Sequence, residues 1–231
     1  PGRIAPSLRR RTRKPSSTRS ATSKPPDHDP SKRLRTSTLC PGGTSSPAGA
    51  KERLRPVLRL ARERGAFVNV DMEHADAKDL TLGLFRELLS EDEFADMPAG
   101  IVVQAYLRDS RDDLADLIAW SARRPEPITV RLVKGAYWDA ETVHARAEGW
   151  PVPVFEHKAE TDANFERCVR LLHDHHGSVR AAFGSHNLRS LAYAITYARH
   201  QGIPDTGYEI QMPHGMAEPR HAGRRRLGPR L

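Results

Sequence analysis

An α/β fold, a parallel sheet or barrel with helices between the strands, is what the 231-residue sequence predicts, and three observations predict it. Short β-branched runs alternate with longer segments of helical period from about residue 51 to residue 212. A polar side chain interrupts or closes each of those runs. Both chain ends lack the pattern and differ in composition from what lies between them.

Taken in order, residues 51–64 carry Leu54, Val57, Leu58 and Ala61 on one stripe and stop at Gly65, a residue suited to a left-handed helix cap, so a helix is expected there. A strand follows over 66–71 (AFVNVD). Leu80, Leu84, Phe85, Leu88 and Leu89 mark the buried face of the next helix, and 101–106 is the second strand. Leu114, Leu117, Ile118 and Trp120 carry the third helix, and 128–133 (ITVRLV) the third strand. Further helical residues lead to a long helix over 159–176, a strand over 179–183, a helix over 188–200 and a fifth strand over 208–212.

The ends decide how the net charge of +8 is understood. Residues 1–50 hold eleven Lys or Arg against two Asp, and residues 220–231 hold five Arg and no acid, so the stretch between them is acidic, at −6. A basic phosphate-binding face is therefore not expected on the folded part, and no nucleic-acid partner is expected. The first 50 residues contain 23 Ser, Thr or Pro and no Phe, Tyr or Trp, too little apolar surface to offset the entropy of ordering, and 220–231 has no apolar period; both flanks are expected to be disordered. No apolar stretch approaches the roughly 20 residues of a membrane-spanning helix, and a cytoplasmic setting is the expectation. Cys40 and Cys168 form no C-x-x-C pair, so neither a disulfide framework nor a zinc site is indicated.

The side chains at the strand ends are Asp71, Gln104, Arg131 with Lys134, His186 and Gln211. In a parallel barrel the carboxyl ends of the strands converge on one mouth, so residues far apart in sequence can line one pocket. Strands also simply end at polar residues, and that reading competes for each position taken alone. Arg131 is the sharpest case, because a guanidinium inside ITVRLV is costly unless it meets a partner or ligand, and Asp71 is a natural partner. Lys134 and Gly135, just past a strand end, could hold a phosphate with an ammonium and backbone N–H groups. HDHHG (173–177) is read as a helix end whose imidazoles face the dipole and solvent, not as a metal site. The acids of 109–116 are read as a solvated helix start capped by Asp109 or Ser110, and Trp150 with Pro151-Val152-Pro153 as an ordered rim loop.

NVDMEH (69–74), VVQAYLRDS (102–110) and RLVKGAYWD (131–139) together resemble the proline dehydrogenase domain. FEHKAETDANFER (155–167), FGSHN (183–187), YEIQM (208–212) and HGMAEP (214–219) follow in the family's order, so the likeness covers about residues 51–219 and is nearest to the version in bacterial proline utilisation A. The resemblance implies a partial (β/α)8, TIM-like barrel that holds FAD, takes a hydride from L-proline to give pyrroline-5-carboxylate, and passes electrons to a membrane quinone. It implies a cytoplasmic protein, peripheral at the inner membrane face, with a pyrroline-5-carboxylate dehydrogenase domain or protein as partner. Asp71 and Arg131 take the catalytic roles, the acid ordering the proline site and the guanidinium tuning the flavin N5. Met72 and Gln104 would touch the isoalloxazine; Lys134, Gly135 and Ala136 the ribityl chain and phosphates; Ser185, His186, Gln211 and Lys158 complete the cofactor set.

The sequence departs from that pattern at its flanks. The family's first strand, with its substrate-binding lysine, is not recognised in residues 1–50, and the eighth strand and the helix with its arginine pair are not recognised after Pro219; Arg224, Arg225 and Arg226 match no part of that helix. Pro213 stands where the family has an apolar residue. Frame-shifted flanks and impaired activity are the corresponding expectations. Two other functions compete: a barrel lyase using Lys134 as a Schiff-base amine, and a non-enzymatic protein binding nucleic acid through its basic N-terminal segment.

Overall fold

The computed structural model of the chain describes residues 47–212, together with the backbone of 33–36. Six strands form one parallel sheet in sequence order: β1 (Arg33–Thr36), β2 (Phe67–Val70), β3 (Ala99–Gln104), β4 (Ile128–Val133), β5 (Val179–Gly184) and β6 (Tyr208–Gln211). The helices between them are α1 (Pro47–Glu63), α2 (Lys78–Leu89), α3 (Ser110–Ser121), α4 (Trp138–Glu148), α5 (Lys158–Asp174) and α6 (Leu188–His200). The five strands and their alternating helices fall where the patterning predicts, and the architecture is α/β.

Period-two alternation sorts each strand into two faces. On β4, Ile128, Val130 and Leu132 are fully buried and point to the helices, whereas Thr129, Arg131 and Val133 on the other face are half-buried. The helix side continues through Ile101, Val103, Ala181, Phe183 and Ile210, which pack with Leu58 of α1, Phe85 and Leu88 of α2, Leu114 and Leu117 of α3, Phe165 and Leu172 of α5, and Ala194 and Ala198 of α6. Each of the larger of these side chains contributes about 1.5–3 kcal/mol by leaving water, so this face fixes the fold and leaves the opposite face available for function. Register carries the opposite face across the sheet: Val102 is level with Arg131, Arg131 with Ala182 and Ala182 with Glu209.

Gly65 ends α1 as expected, at φ 59°. Lys51, Arg55, Arg59 and Arg62 then meet Glu87, Glu91, Glu93 and Asp96 in a row of ion pairs that ties α1 to the end of α2 and the loop after it. A second, smaller apolar cluster of Tyr106, Leu107 and Val154 lies beyond the end of β3. There the loop after α4 docks on the β3–α3 turn, Arg108 N–H donating to Pro153 O (3.0 Å) and Phe155 N–H to Tyr106 O (2.8 Å). The Trp150 loop is thus ordered on the rim, with its indole edge-on to His144.

Three expectations are corrected. First, residues 1–50 are not without order throughout, because Arg33–Thr36 pairs in parallel with Phe67–Val70. The run RLRT has neither the length nor the apolar alternation to announce a strand; the free edge of β2 supplies the backbone partners. Helix α1 likewise starts within that segment, at Pro47. Second, the acidic start of α3 is not simply solvated. Lys78, nearly buried at the start of α2, donates to Asp109 and Asp113 (both 2.7 Å), so Asp109 gives its carboxylate to Lys78 and makes no side-chain cap bond. Third, His173 does not face solvent: it is buried between α5 and α6, with Nε2 3.1 Å from Ala194 O and its ring against Phe183, Tyr197 and Tyr208. His175 and His176 do stay at the helix end, on the carbonyls of Leu171 and His173. Residues 1–32, 37–46 and 213–231, and with them Cys40, Pro213, the HGMAEP motif and the Arg224–Arg226 run, lie outside the described residues. Among the described residues no helix is long and apolar enough to cross a membrane.

Candidate functional site

A cavity of about 470 Å³ opens at the carboxyl ends of β2 to β5, on the face away from the helices. It exists because β5 presents Ala182 and Gly184 to that face, level with Arg131 and Val133 of β4. A Cβ at Gly184 would sit 3.0 Å from a Val133 methyl, so a larger residue there would fill the hollow. Val102, Val133 and Gly184 give it an apolar floor, and the polar strand-end side chains stand around them.

Arg131 and Asp71 meet on this floor. The Arg131 Nη2 donates to Asp71 Oδ1, which also accepts from Asn69 Nδ2 (2.9 Å), and both members of the ion pair are largely buried. One strand, β3, separates them, and its Val102 lies between. Beside the pair, Gln104 is almost fully buried; its Nε2 donates a long bond to Met72 O (3.4 Å), while its Oε1 is a buried acceptor with no hydrogen-bond partner among the described residues. A buried orphan acceptor is costly unless something fills the site, and here it belongs to a residue that lines the cavity.

The cationic side of the cavity is held by one carboxylate. Asp162 of α5 accepts from Lys134, just past β4, and from Lys158 in the first turn of α5 (2.8 Å). Burial alone would raise the Asp162 carboxyl, but the hydrogen bonds and charges of the two lysines outweigh it and hold the group below its usual range. Gly135 follows at φ 121°, open to glycine and strained for other residues, and Ala136 and Tyr137 complete the turn. On the far side Ser185, His186 and Asn187 stand before α6, whose N-cap Asn187 accepts from Ser190 N–H (3.1 Å). The positive end of that helix favours an anion at this wall.

Ten of the eleven residues expected from the sequence therefore line one cavity: Asp71, Met72, Gln104, Arg131, Lys134, Gly135, Ala136, Lys158, Ser185 and His186. Gln211 does not line it. Its backbone is level with Gly184, but its side chain donates to Glu209 Oε2 (3.1 Å) on β6. Sequence reasoning missed Asp162, although its i,i+4 spacing from Lys158 is the usual signal for a helical ion pair. It also missed Glu73 and Tyr137, whose hydroxyl donates to Glu73 Oε2 (2.7 Å) and so bridges the loops after β2 and β4. No spacing rule links those two; only the strand order does.

The sequence profile of a family described as "Proline dehydrogenase" matches residues 5–230, beyond both limits of the expected stretch. The chain is 37% identical over 172 residues to the bifunctional protein PutA of Salmonella typhimurium, covering 72% of this chain and 13% of that protein. It is 32% identical over 162 residues to the proline dehydrogenase of Deinococcus radiodurans, covering 70% of this chain and 46% of the relative. Among solved structures, proline utilization A from Bdellovibrio bacteriovorus, inactivated by N-propargylglycine, superposes with a TM-score of 0.78 at 49% identity, over 80% of this chain and 19% of that one. Proline utilization A from Corynebacterium freiburgense gives 0.75 at 40% identity, over 78% and 19%. The chain thus spans about an eighth of the length of the PutA relatives and less than half of the shorter one.

Proposed function

Because the chain belongs to the proline dehydrogenase family, we propose that the cavity is the flavin-facing part of a site that oxidises L-proline to pyrroline-5-carboxylate. The observation that carries the reading is the buried Arg131–Asp71 pair beside the unpartnered Gln104 Oε1, at the mouth of a parallel sheet whose far wall is a helix N-terminus.

The residues fit a flavin dinucleotide. Gln104 Oε1 offers an acceptor to a ring N–H, and Met72, Val102 and Val133 offer apolar contact. Lys134, Lys158 and the turn through Gly135 and Ala136 suit the ribityl chain and phosphates, with Ser185 and His186 opposite. When bound, FAD supplies the two-electron acceptor for the proline hydride. Arg131 holds a fixed positive charge at the floor, where negative charge on the acceptor would be stabilised. Asp71 fixes that guanidinium and presents a carboxylate oxygen toward the substrate amine. Arg131 is the only guanidinium lining the cavity among the described residues, and it is committed to Asp71. A quinone as the electrons' destination, at the membrane face, and a pyrroline-5-carboxylate dehydrogenase partner belong to the same reading.

The test is a visible absorption spectrum of the full chain after FAD is added and the excess removed, with Arg131→Ala as control and proline-dependent dye reduction as second readout. A retained flavin band that the control lacks supports the proposal; a chain that keeps its fold and retains no flavin overturns it. The Schiff-base alternative is disfavoured because the Lys134 side chain is engaged with the Asp162 carboxylate, whereas a nucleophilic amine needs a free lone pair. The basic N-terminal segment invoked for nucleic acid lies almost wholly outside the described residues.

A further inference from the structure

Tyr106 sits two residues past the end of β3, is 2% exposed, and does not line the cavity. Its surroundings tie it to the cavity's cationic wall all the same. Its N–H donates to Lys134 O (2.8 Å), which continues the β3–β4 ladder beyond both strands, and its C=O accepts from Phe155 N–H (2.8 Å). Its ring lies directly against Gly135: a Cβ built there would fall 2.5 to 2.6 Å from three ring carbons, nearer than real Cβ contacts come. Gly135 is thus a glycine for two reasons, its φ of 121° and the ring beneath it. The ring is held in turn by Leu107 and Val154, so the small rim cluster has one face made of aromatic carbon and one neighbour made of bare backbone.

We propose that Tyr106 is a positioning residue for the cofactor, its ring setting where the Lys134–Gly135–Ala136 backbone lies. The proposal rests on the flavin reading above and adds a part that neither touches the cofactor nor belongs to the main core. The plane of the ring is what matters. Burial, and then the nearby Glu141 carboxylate, push the phenol well above its usual range and outweigh a weak backbone contact with Tyr137, so it stays neutral, and a phenylalanine keeps the ring while giving up only that contact. A leucine fills part of the volume but offers no flat surface to the glycine.

The test compares the full chain with Tyr106→Phe, Tyr106→Leu and Gly135→Ala, the last pressing on the same contact from the other side. Hydrogen exchange of the peptide spanning 131–138 is measured without cofactor, and FAD affinity by flavin fluorescence titration. The expected result is that Tyr106→Phe matches the parent in both. Tyr106→Leu and Gly135→Ala should lose protection in that peptide, keep it in β5 and α5, and weaken FAD by about tenfold or more, as expected when a supporting contact is loosened. Unchanged exchange at 131–138 in Tyr106→Leu overturns the proposal, and so does changed exchange with unchanged FAD affinity. A parent chain that binds no FAD while the exchange pattern appears as described would instead defeat the flavin reading and leave the ring–glycine contact standing. If Tyr106→Phe fails like Tyr106→Leu, the hydroxyl and not the ring is at work, and the proposal falls.

Discussion

Arg131 of β4 passes Val102 of β3 to reach the carboxylate of Asp71, one residue beyond β2, so a single ion pair ties three strands at the floor of the cavity. The same Asp71 oxygen also accepts from the Asn69 amide. Removing Arg131 leaves a largely buried carboxylate with one amide donor. Arg131→Ala should therefore cost about 2–3 kcal/mol, seen as a lower urea midpoint, and Arg131→Lys should restore part of it because the charge returns without the planar fork. A midpoint unchanged in Arg131→Ala would mean that the pair is formed at no net benefit to the fold.

Asp162 neutralises two lysines on the wall assigned to the phosphates. In Asp162→Asn the side-chain oxygen still accepts from Lys134 while the negative charge is gone. FAD should bind several-fold tighter, by roughly the value of one partly screened charge, and its affinity should fall more steeply with salt. Titrations at two ionic strengths read both effects. Weaker binding at low salt would show that the carboxylate organises the lysines more than it competes for them.

His173 gives the fold an acid limit. Burial pushes its imidazole down to about 4, outweighing the hydrogen bond to Ala194 O, so the folded state holds it neutral. The folded value lies below the unfolded one of about 6.5. The contribution is thus fully present above pH 6.5 and is lost as pH falls from there toward 4, by about 3 kcal/mol in all. His173→Gln, which can still donate to Ala194 O, should flatten thermal stability across that window. A slope that persists in the variant would assign the acid sensitivity elsewhere.

Lys78 is the hub between α2 and α3, with its ammonium among Asp79, Asp109 and Asp113. Burial lowers its pKa, but the three carboxylates outweigh that and leave it raised, so it is charged throughout the neutral range. Lys78→Met keeps the apolar stem and leaves Asp113 buried without its cation. A loss of about 2–3 kcal/mol is expected, measurable as a fall in Tm. The double variant with Asp113→Asn should recover part of the loss, and an absence of recovery would place the cost in packing instead.

Local chemistry made much of the fold legible. The run ITVRLV declares a strand, and the guanidinium inside it declares a face with something to meet. Leu188–His200 follows from its own apolar period and Asn187 cap. The cavity was legible for the same reason: a parallel sheet brings strand ends together whatever lies between them, so Asp71, Gln104, Arg131 and Lys134 could be placed in one mouth. What escaped were features with no signal in their own neighbourhood. Arg33–Thr36 is four residues of mixed charge that become a strand only against the edge of β2. His173 looked like its solvated neighbours, and only the packing of α6, β5 and β6 around it removed the water.

By itself, then, the sequence determined the alternation of strand and helix, the apolar face of the sheet, the family and most of the cavity's residues, because periodicity and motif are local properties of the chain. Tertiary structure alone decided the rest. It set Arg131 against Asp71 across an intervening strand, gave Asp162 to two lysines, closed three acids on Lys78, and laid the Tyr106 ring under Gly135. Each of these depends on which strand lies beside which and in what register, a relation between distant segments that no window of sequence contains.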